Sequence, residues 1–490
     1  MRFVTAAVLA GVMCAASATA AATYVRAGRL VDVVAGTVLA DQLITIDKGR
    51  IVSIAPYSTA PTDGAVTDWS RYMVLPGLID MHVHLADYET SNNVAEPLLH
   101  SAAETVLVGA LNARKTLNAG FTTVHNVGNY RAYIDIALRD AINAGTVAGP
   151  RMNTVGAYLT APGGGGEVTG LAPDVVVPAD MRVGVVTDAN DMGIKARNLF
   201  QHGADSLKFI ATGAVLAIGA EPGQLELTEA EMRAGVAEAV RANSYATAHA
   251  HGAEGVKAAI RSVVRSVEHA SLIDDEGIAL AKAKGVWLVM DIYDGDYIEA
   301  VGTRDGWPAD YLRKNRETTD IQRMQFTKAV RAGVRMAYGT DAGVYPHGDN
   351  AKQFAYMVRY GMTPMAAIQS ATVNAAAAPS VGGIWPRQSL SKVVLPTPKP
   401  PATTIFTGIG PAAAFRSSRR CMRGNKGSRG GDRPPRLRSG GRGRCYCTWM
   451  YSGTGHRRKI ASRVVGGLSF FAFVNCFQPV NWTGSRLMSR

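Results

Sequence analysis

The stretch LPGLIDMHVHL, residues 75–85, sets His82 and His84 two positions apart behind a Pro-Gly turn and an apolar run. In an extended strand alternate side chains share a face, so Asp80, His82 and His84 project to one side and Ile79, Met81 and Val83 to the other. Imidazoles are poor core filler, and two neutral rings converging on one point form the start of a donor set for a divalent metal. Other polar groups that are costly to bury recur along the chain: Lys208 in DSLKFI, His249 and His251 in YATAHAH, His269 in VRSVEH and Asp341 in VRMAYGTD. Each lies within or at the end of a short apolar run. His251 shares a face with His249 by the strand period, so spacing leaves open which of the two ligates.

Short strands joined by amphipathic helices must carry these residues. After the run that leads into His82, helical patterns over 95–118, 130–143, 188–202, 228–243, 254–261, 275–284, a long stretch ending near 331, and 351–360 alternate with apolar runs at 121–126, 151–155, 205–210, 245–251, 264–269, 286–290 and 334–341. Eight strand–helix units with strands apolar on both faces predict a closed parallel (β/α)8 barrel over residues 73–378, a TIM barrel. In that architecture the active site lies at the carboxyl ends of the strands, where His82, His84, Lys208, His249, His269 and Asp341 all fall. Residues 23–72 do not fit the alternation and read as the strands of a small β-domain.

Charge is unevenly spread. The net charge of +13 would suggest an anionic partner, but residues 381–490 hold 20 of the 52 Lys and Arg and one of the 39 acidic residues, leaving 32 basic against 38 acidic before them. The body is therefore not read as nucleic-acid-binding. Cys14 precedes the body and Cys421, Cys445, Cys447 and Cys476 follow it, so no disulfide framework supports it. Residues 1–22 read as a cleavable signal peptide, with Arg2, an apolar stretch too short to span a bilayer, and Ala18-Thr19-Ala20, which predicts a secreted or periplasmic protein. No membrane span is expected. GGGG at 163–166 lacks the Lys-Ser or Lys-Thr of a phosphate loop and is read as backbone near the substrate.

The stretches LPGLIDMHVH, GADSLKFIATG, TAHAHG, SVEH and YGTDAG, in this order, resemble the amidohydrolase superfamily, and more narrowly its imidazolonepropionase-like branch. That branch includes metal-dependent Xaa-Arg/Lys and Xaa-Pro dipeptidases. The resemblance covers about residues 24–378 and implies two divalent metal ions, with zinc the expected ion. His82, His84 and Asp341 would hold one, His249 and His269 the other, and a CO2-derived carbamate on Lys208 would bridge them. It further implies a metal-bridging hydroxide as nucleophile, Asp341 as catalytic proton shuttle, and a small peptide or amide as substrate. Asp80, His125, His251, Tyr293 and His347 are candidates for orienting ligands or touching substrate. Asp291, Asp294 and Asp296 are candidates for meeting a basic side chain, and Arg313, Lys314 and Arg316 for meeting a carboxylate. A homo-oligomer is a possible assembly. Cyclic amide or lactone hydrolysis with the same metals, and an inactive pseudogene-like product, are the alternatives.

Two departures stand out. Val263 replaces the Gly that relatives use to close the helix before strand six. After about residue 379 the family pattern gives way to an Arg-, Gly- and Pro-rich text, as a frameshift would produce. Residues 379–490 are expected to be an aberrant basic tail, mostly disordered. The small β-domain would then be incomplete, with open edges at the strands near Leu30 and Ile44.

Overall fold

The computed structural model describes residues 22–378, so the expected signal peptide and basic tail lie outside the described residues. Four strands open the fold: β1 (Thr23–Asp32), β2 (Thr37–Asp47), β3 (Arg50–Pro56) and β4 (Val66–Val74), in the order β3-β2-β1-β4. Alternation along β2 buries Gln42, Ile44 and Ile46, which pack with Val25, Ala27 and Leu30 of β1. Lys48 (φ 48°) and Gly49 (φ 72°) turn the chain between β2 and β3.

This arrangement corrects the expected open edges. Leu30 and Ile44 lie on the two inner strands, because β4 adds to β1 in parallel and the turn at Lys48 folds β3 back onto β2. Among the described residues the edges are β3 and β4. β3 exposes Val52 (59%) and Ile54 (47%).

The remaining strands are parallel. β5 (Leu78–Val83), β6 (Phe121–Asn126) and β7 (Arg151–Thr154) form one sheet. β8 (Tyr158–Leu159), β9 (Leu207–Ile210), β10 (Ala246–Gly252), β11 (Ser266–Leu272) and β12 (Trp287–Val289) form a second. Two stretches of chain join them. β7 and β8 follow one another across a bend at Gly156 (φ 79°): β7 pairs with β6, β8 pairs with β9, and Thr154 O accepts from the N–H groups of Asp205 and Ser206. On the other side, residues 335–342 bridge β12 at Leu288↔Met336 and β5 at Val83↔Ala342. Taking β7 and β8 together and 335–342 as the last member, eight strand positions run around the ring of a (β/α)8 barrel.

Helices cover its outside, each between consecutive strands: Ala102–Asn118, Ile134–Asn143, Ala189–Gln201, Glu229–Arg241, Ala253–Arg261, Asp275–Lys284 and Ala309–Ala332, with Lys352–Arg359 after the last. Their starts are written locally. Ser101 with Glu104 and Thr228 with Glu231 form reciprocal capping boxes, and Asp188 and Asp274 cap with their carboxylates. Gly285 and Gly333 close two helices in the left-handed region (φ 67° and 73°). Val263, just past the helix Ala253–Arg261, is forced to the same conformation at φ 67° with its side chain exposed. Between helices and strands sits the main core, which includes Phe121, Leu199, Leu207, Phe209, Leu288, Phe326 and Tyr338. Among the described residues no helix is long and apolar enough to cross a membrane.

Candidate metal centre

At the carboxyl ends of the strands one pocket gathers His82, His84, Lys208, His249, His251, His269 and Asp341. All six ligands expected from the sequence line it. His82 Nε2 lies 3.3 Å and His84 Nε2 3.0 Å from Asp341 Oδ1. One donor atom each from His82, His269 and Asp341 lie within 4.8 Å of one another, and so do those of His249, His251 and His269. Both members of the His-x-His in β10 therefore face the site. His251 Nδ1 is held by Ser271 Oγ at 2.8 Å, and His249 Nε2 sits 3.3 Å from Gly213 O.

Each imidazole is oriented through its other nitrogen, as a metal ligand requires. Glu268 Oε2 lies 3.0 Å from His82 Nδ1, Asp291 Oδ2 lies 2.8 Å from His269 Nδ1, and Gly128 O lies 2.9 Å from His84 Nδ1. Tyr158 OH also lies 3.0 Å from His84 Nδ1. Gly128, at φ 135°, is required here because a Cβ would sit 2.1 Å from the Tyr158 ring. Glu268 is itself buried and accepts from Thr247 Oγ1 and, at 2.7 Å, from Ser266 Oγ.

The electrostatics follow from this geometry. Burial disfavours protonation of His82, but the carboxylates of Asp341 and Glu268 outweigh it and push its pKa up to about 9. Burial likewise opposes ionisation of Glu268, yet His82, Lys208 and Thr247 hold it down at about 2. Asp341 stays well below the usual carboxylate range against its burial, because His82 and His84 flank it. Lys208 is 1% exposed and makes no hydrogen bond or close ion pair among the described residues. Burial lowers its pKa, opposed at longer range by Glu268, Asp341 and Asp291. His269 (φ 65°), Ala270 (φ 47°) and Asp341 (φ 55°) hold left-handed backbone, a strain of about 1–3 kcal/mol each that concentrates at the site.

Glu268 was not anticipated. Period-two alternation puts Ser266 and Glu268 on one face and His269 on the other, but the left-handed turn at His269 and Ala270 breaks that alternation and brings both Glu268 and His269 to the site. Its position next to His269 in SVEH was the available signal.

Four candidates lie outside the pocket lining. Asp80 is buried beneath it, accepting from Thr340 Oγ1 at 2.6 Å, Asn350 Nδ2 at 2.8 Å and His82 N at 3.2 Å, and burial raises its pKa to about 7. His125 is buried against Ser206 Oγ at 3.0 Å, and His347 is buried against His84 O at 3.3 Å, behind one of the expected ligands. Tyr293 packs instead against Tyr345 and Tyr356. The charged loops also differ from expectation. Arg313 pairs with Glu221, Asp310 and Glu317, and Arg316 with Glu299. Lys314 is fully buried, bonded to Asp310 and to the carbonyls of Ala217 and Ala220, and so pins the loop that contributes Ala214, Val215 and Leu216 to the pocket wall. Asp296 pairs with Arg323, and Asp291 is committed to His269. Asp294 does line the pocket, as does Gly165 of the GGGG run, whose N–H bonds Glu226 at 2.9 Å.

The donor set fits divalent metals: imidazoles anchored at one nitrogen, a shared carboxylate and a buried amine without a close partner among the described residues. Ochratoxinase of Aspergillus niger is 29% identical over 322 residues, 62% of this chain and 65% of the relative, so the chain spans just under two thirds of that relative's length. Among solved structures, a Xaa-Pro dipeptidase with bound methionine superposes at TM-score 0.69 with 34% identity, covering 73% of this chain and 88% of the other. A prolidase complexed with N-methylphosphonate-L-proline gives 0.67 with 26% identity, covering 73% and 87%. The family model described as the amidohydrolase family matches residues 73–408, a range that runs on past residue 379, where the sequence pattern was expected to end. With its ring of strands, its clustered imidazoles and that match over more than half its length, the chain belongs to the amidohydrolase family.

Proposed function

We propose that the pocket hydrolyses amide bonds in short peptide-like substrates, as a dipeptidase or carboxypeptidase, using two divalent metal ions. The observation that carries this is the convergence of His82, His84, His249, His269 and Asp341 around a buried Lys208 that has no close partner among the described residues. Two cations would be held by His82, His84 and Asp341 and by His249 and His269, with zinc the expected ion. Lys208, as a carbamate, would supply a ligand to both. As a neutral amine its nitrogen bonds to the carbon of CO2 and releases a proton to solvent, so an anionic carbamate replaces a cation that burial disfavours.

Bound metals lower the pKa of water and polarise a scissile carbonyl. The residues of the chain do the rest. Glu268, Gly128 O and Asp291 fix the imidazoles, so the ligand set is organised in advance. Asp341, held ionised between His82 and His84, takes the proton of the attacking water and returns it to the departing nitrogen. Ile210, Leu216, Ile298 and Val344 line the pocket with apolar surface and limit bulk water.

Metal analysis and a dipeptide panel on protein supplemented with zinc, manganese or cobalt test this. About two ions per chain and measurable cleavage are expected. Asp341→Asn should lower kcat/KM by about 100-fold or more. Protein that binds no metal and cleaves no amide would instead support an inactive product.

A further inference from the structure

The helix Ala102–Asn118 turns one face to the barrel. Thr105, Gly109, Asn112, Ala113 and Thr116 are buried there, and Asn112 Nδ2 bonds Leu85 O at 3.2 Å, which fixes the helix just past the end of β5. The opposite face carries Glu104, Leu107, Leu111 and Arg114, all exposed, with Leu107 at 71% and Leu111 at 43%. With 3.6 residues to a turn these four side chains fall within about 80° of arc and form one stripe. A single exposed leucine needs no explanation, but two of them one turn apart, between an acid and a base, do.

The stripe has a symmetry of its own. Its steps are three, four and three residues, so it reads the same from either end except that the acid at one end answers the base at the other. Arg114 makes no hydrogen bond, ion pair or ring contact among the described residues. Glu104 commits Oε2 to the capping box with Ser101 and leaves Oε1 without a hydrogen-bond partner among the described residues. The two cannot meet each other, since ten residues of helix hold them about 15 Å apart along the axis. A second copy of the helix, laid antiparallel about a twofold axis at the level of Gly109, sets Leu107 opposite Leu111 and Glu104 opposite Arg114, each contact occurring twice. Steps of three and four residues are also those at which the side chains of helices crossing at about 20° interlock. A partner of uniform charge would leave one end of the stripe facing its own sign, whereas the same chain satisfies both ends.

We propose that this stripe is a contact between two copies of the chain, which pair their Ala102–Asn118 helices antiparallel with the leucines packed between two Glu104–Arg114 ion pairs. One helix face is a small interface, so the association is weak and concentration-dependent. Sedimentation velocity of the full chain tests this, with a monomer–dimer equilibrium of Kd about 1–100 µM expected. Leu107→Glu should abolish the dimer, because it places an unpaired carboxylate among the leucines. Arg114→Glu and Glu104→Arg should each weaken it by about tenfold or more, because either one sets like charges opposite each other at both contacts. An equimolar mixture of those two variants restores opposite charges at both contacts and should associate as the native chain does. Ile54→Lys, on the edge strand β3, should leave the dimer intact. Circular dichroism checks that each variant folds, and Arg114→Glu lies outside the capping box, so its effect is free of any loosening of the helix start. A monomer at every concentration overturns the proposal. A dimer that survives Leu107→Glu or disappears in Ile54→Lys overturns it too, as does a folded mixture of the charge variants that stays monomeric.

Discussion

Glu268 lies outside the pocket lining, yet it fixes the ring of His82 and is fully buried to do so. Replacing it by Gln keeps the shape and removes the charge. Glu268→Gln should weaken metal affinity by about 10- to 100-fold, measured by competition with a chromogenic chelator. Unchanged affinity would mean that the contact only fills space. At this scale the sequence was legible where a residue type is ill suited to its surroundings. A lysine or histidine in an apolar run has few reasons to be there, so Lys208, His249 and His269 announced themselves. Glu268 did not, because its role depends on a left-handed backbone at His269 that no spacing rule encodes. Tyr293, His125 and His347 read as candidates for orienting ligands or touching substrate, while their rings are settled by contacts with elements distant in sequence.

Helices and strands were legible for a different reason. The amphipathic period and the caps at Ser101, Asp188, Thr228 and Asp274 are local, so segment boundaries fell close to those expected. The run at 334–341 is a contrast. It bridges two neighbours through isolated pairs rather than a continuous ladder, although its sequence reads as a strand. Val263 offers a clean test of local strain. Its side chain is 69% exposed, so replacing it sacrifices little packing, while a β-branched residue at φ 67° is costly. Val263→Gly should stabilise the chain by about 0.5–1 kcal/mol, read as an upward shift of the urea midpoint with unchanged slope. A lower midpoint would show that the backbone relaxes there without penalty.

For the whole molecule, what sequence could not give was which strands of the small sheet are inner ones. β4 lies beyond a turn-rich stretch and pairs in parallel with β1, a long-range choice that places the edges at β3 and β4. β3, with Val52 and Ile54 facing outward, is the edge most open to pairing with another chain. Ile54→Lys should reduce light scattering as the protein is concentrated, with secondary structure unchanged by circular dichroism. Scattering equal to that of the native chain would place the sticky surface elsewhere.

The closing segment 335–342 contributes Asp341 only when it sits between β5 and β12, its main chain bonded to both. On the proposed reading, a chain emerging from the ribosome has its five other donors long before this one, and the donor set is complete only when the circle shuts. The proposed hydrolysis would thereby report completed folding, and a partly made product would not carry it out.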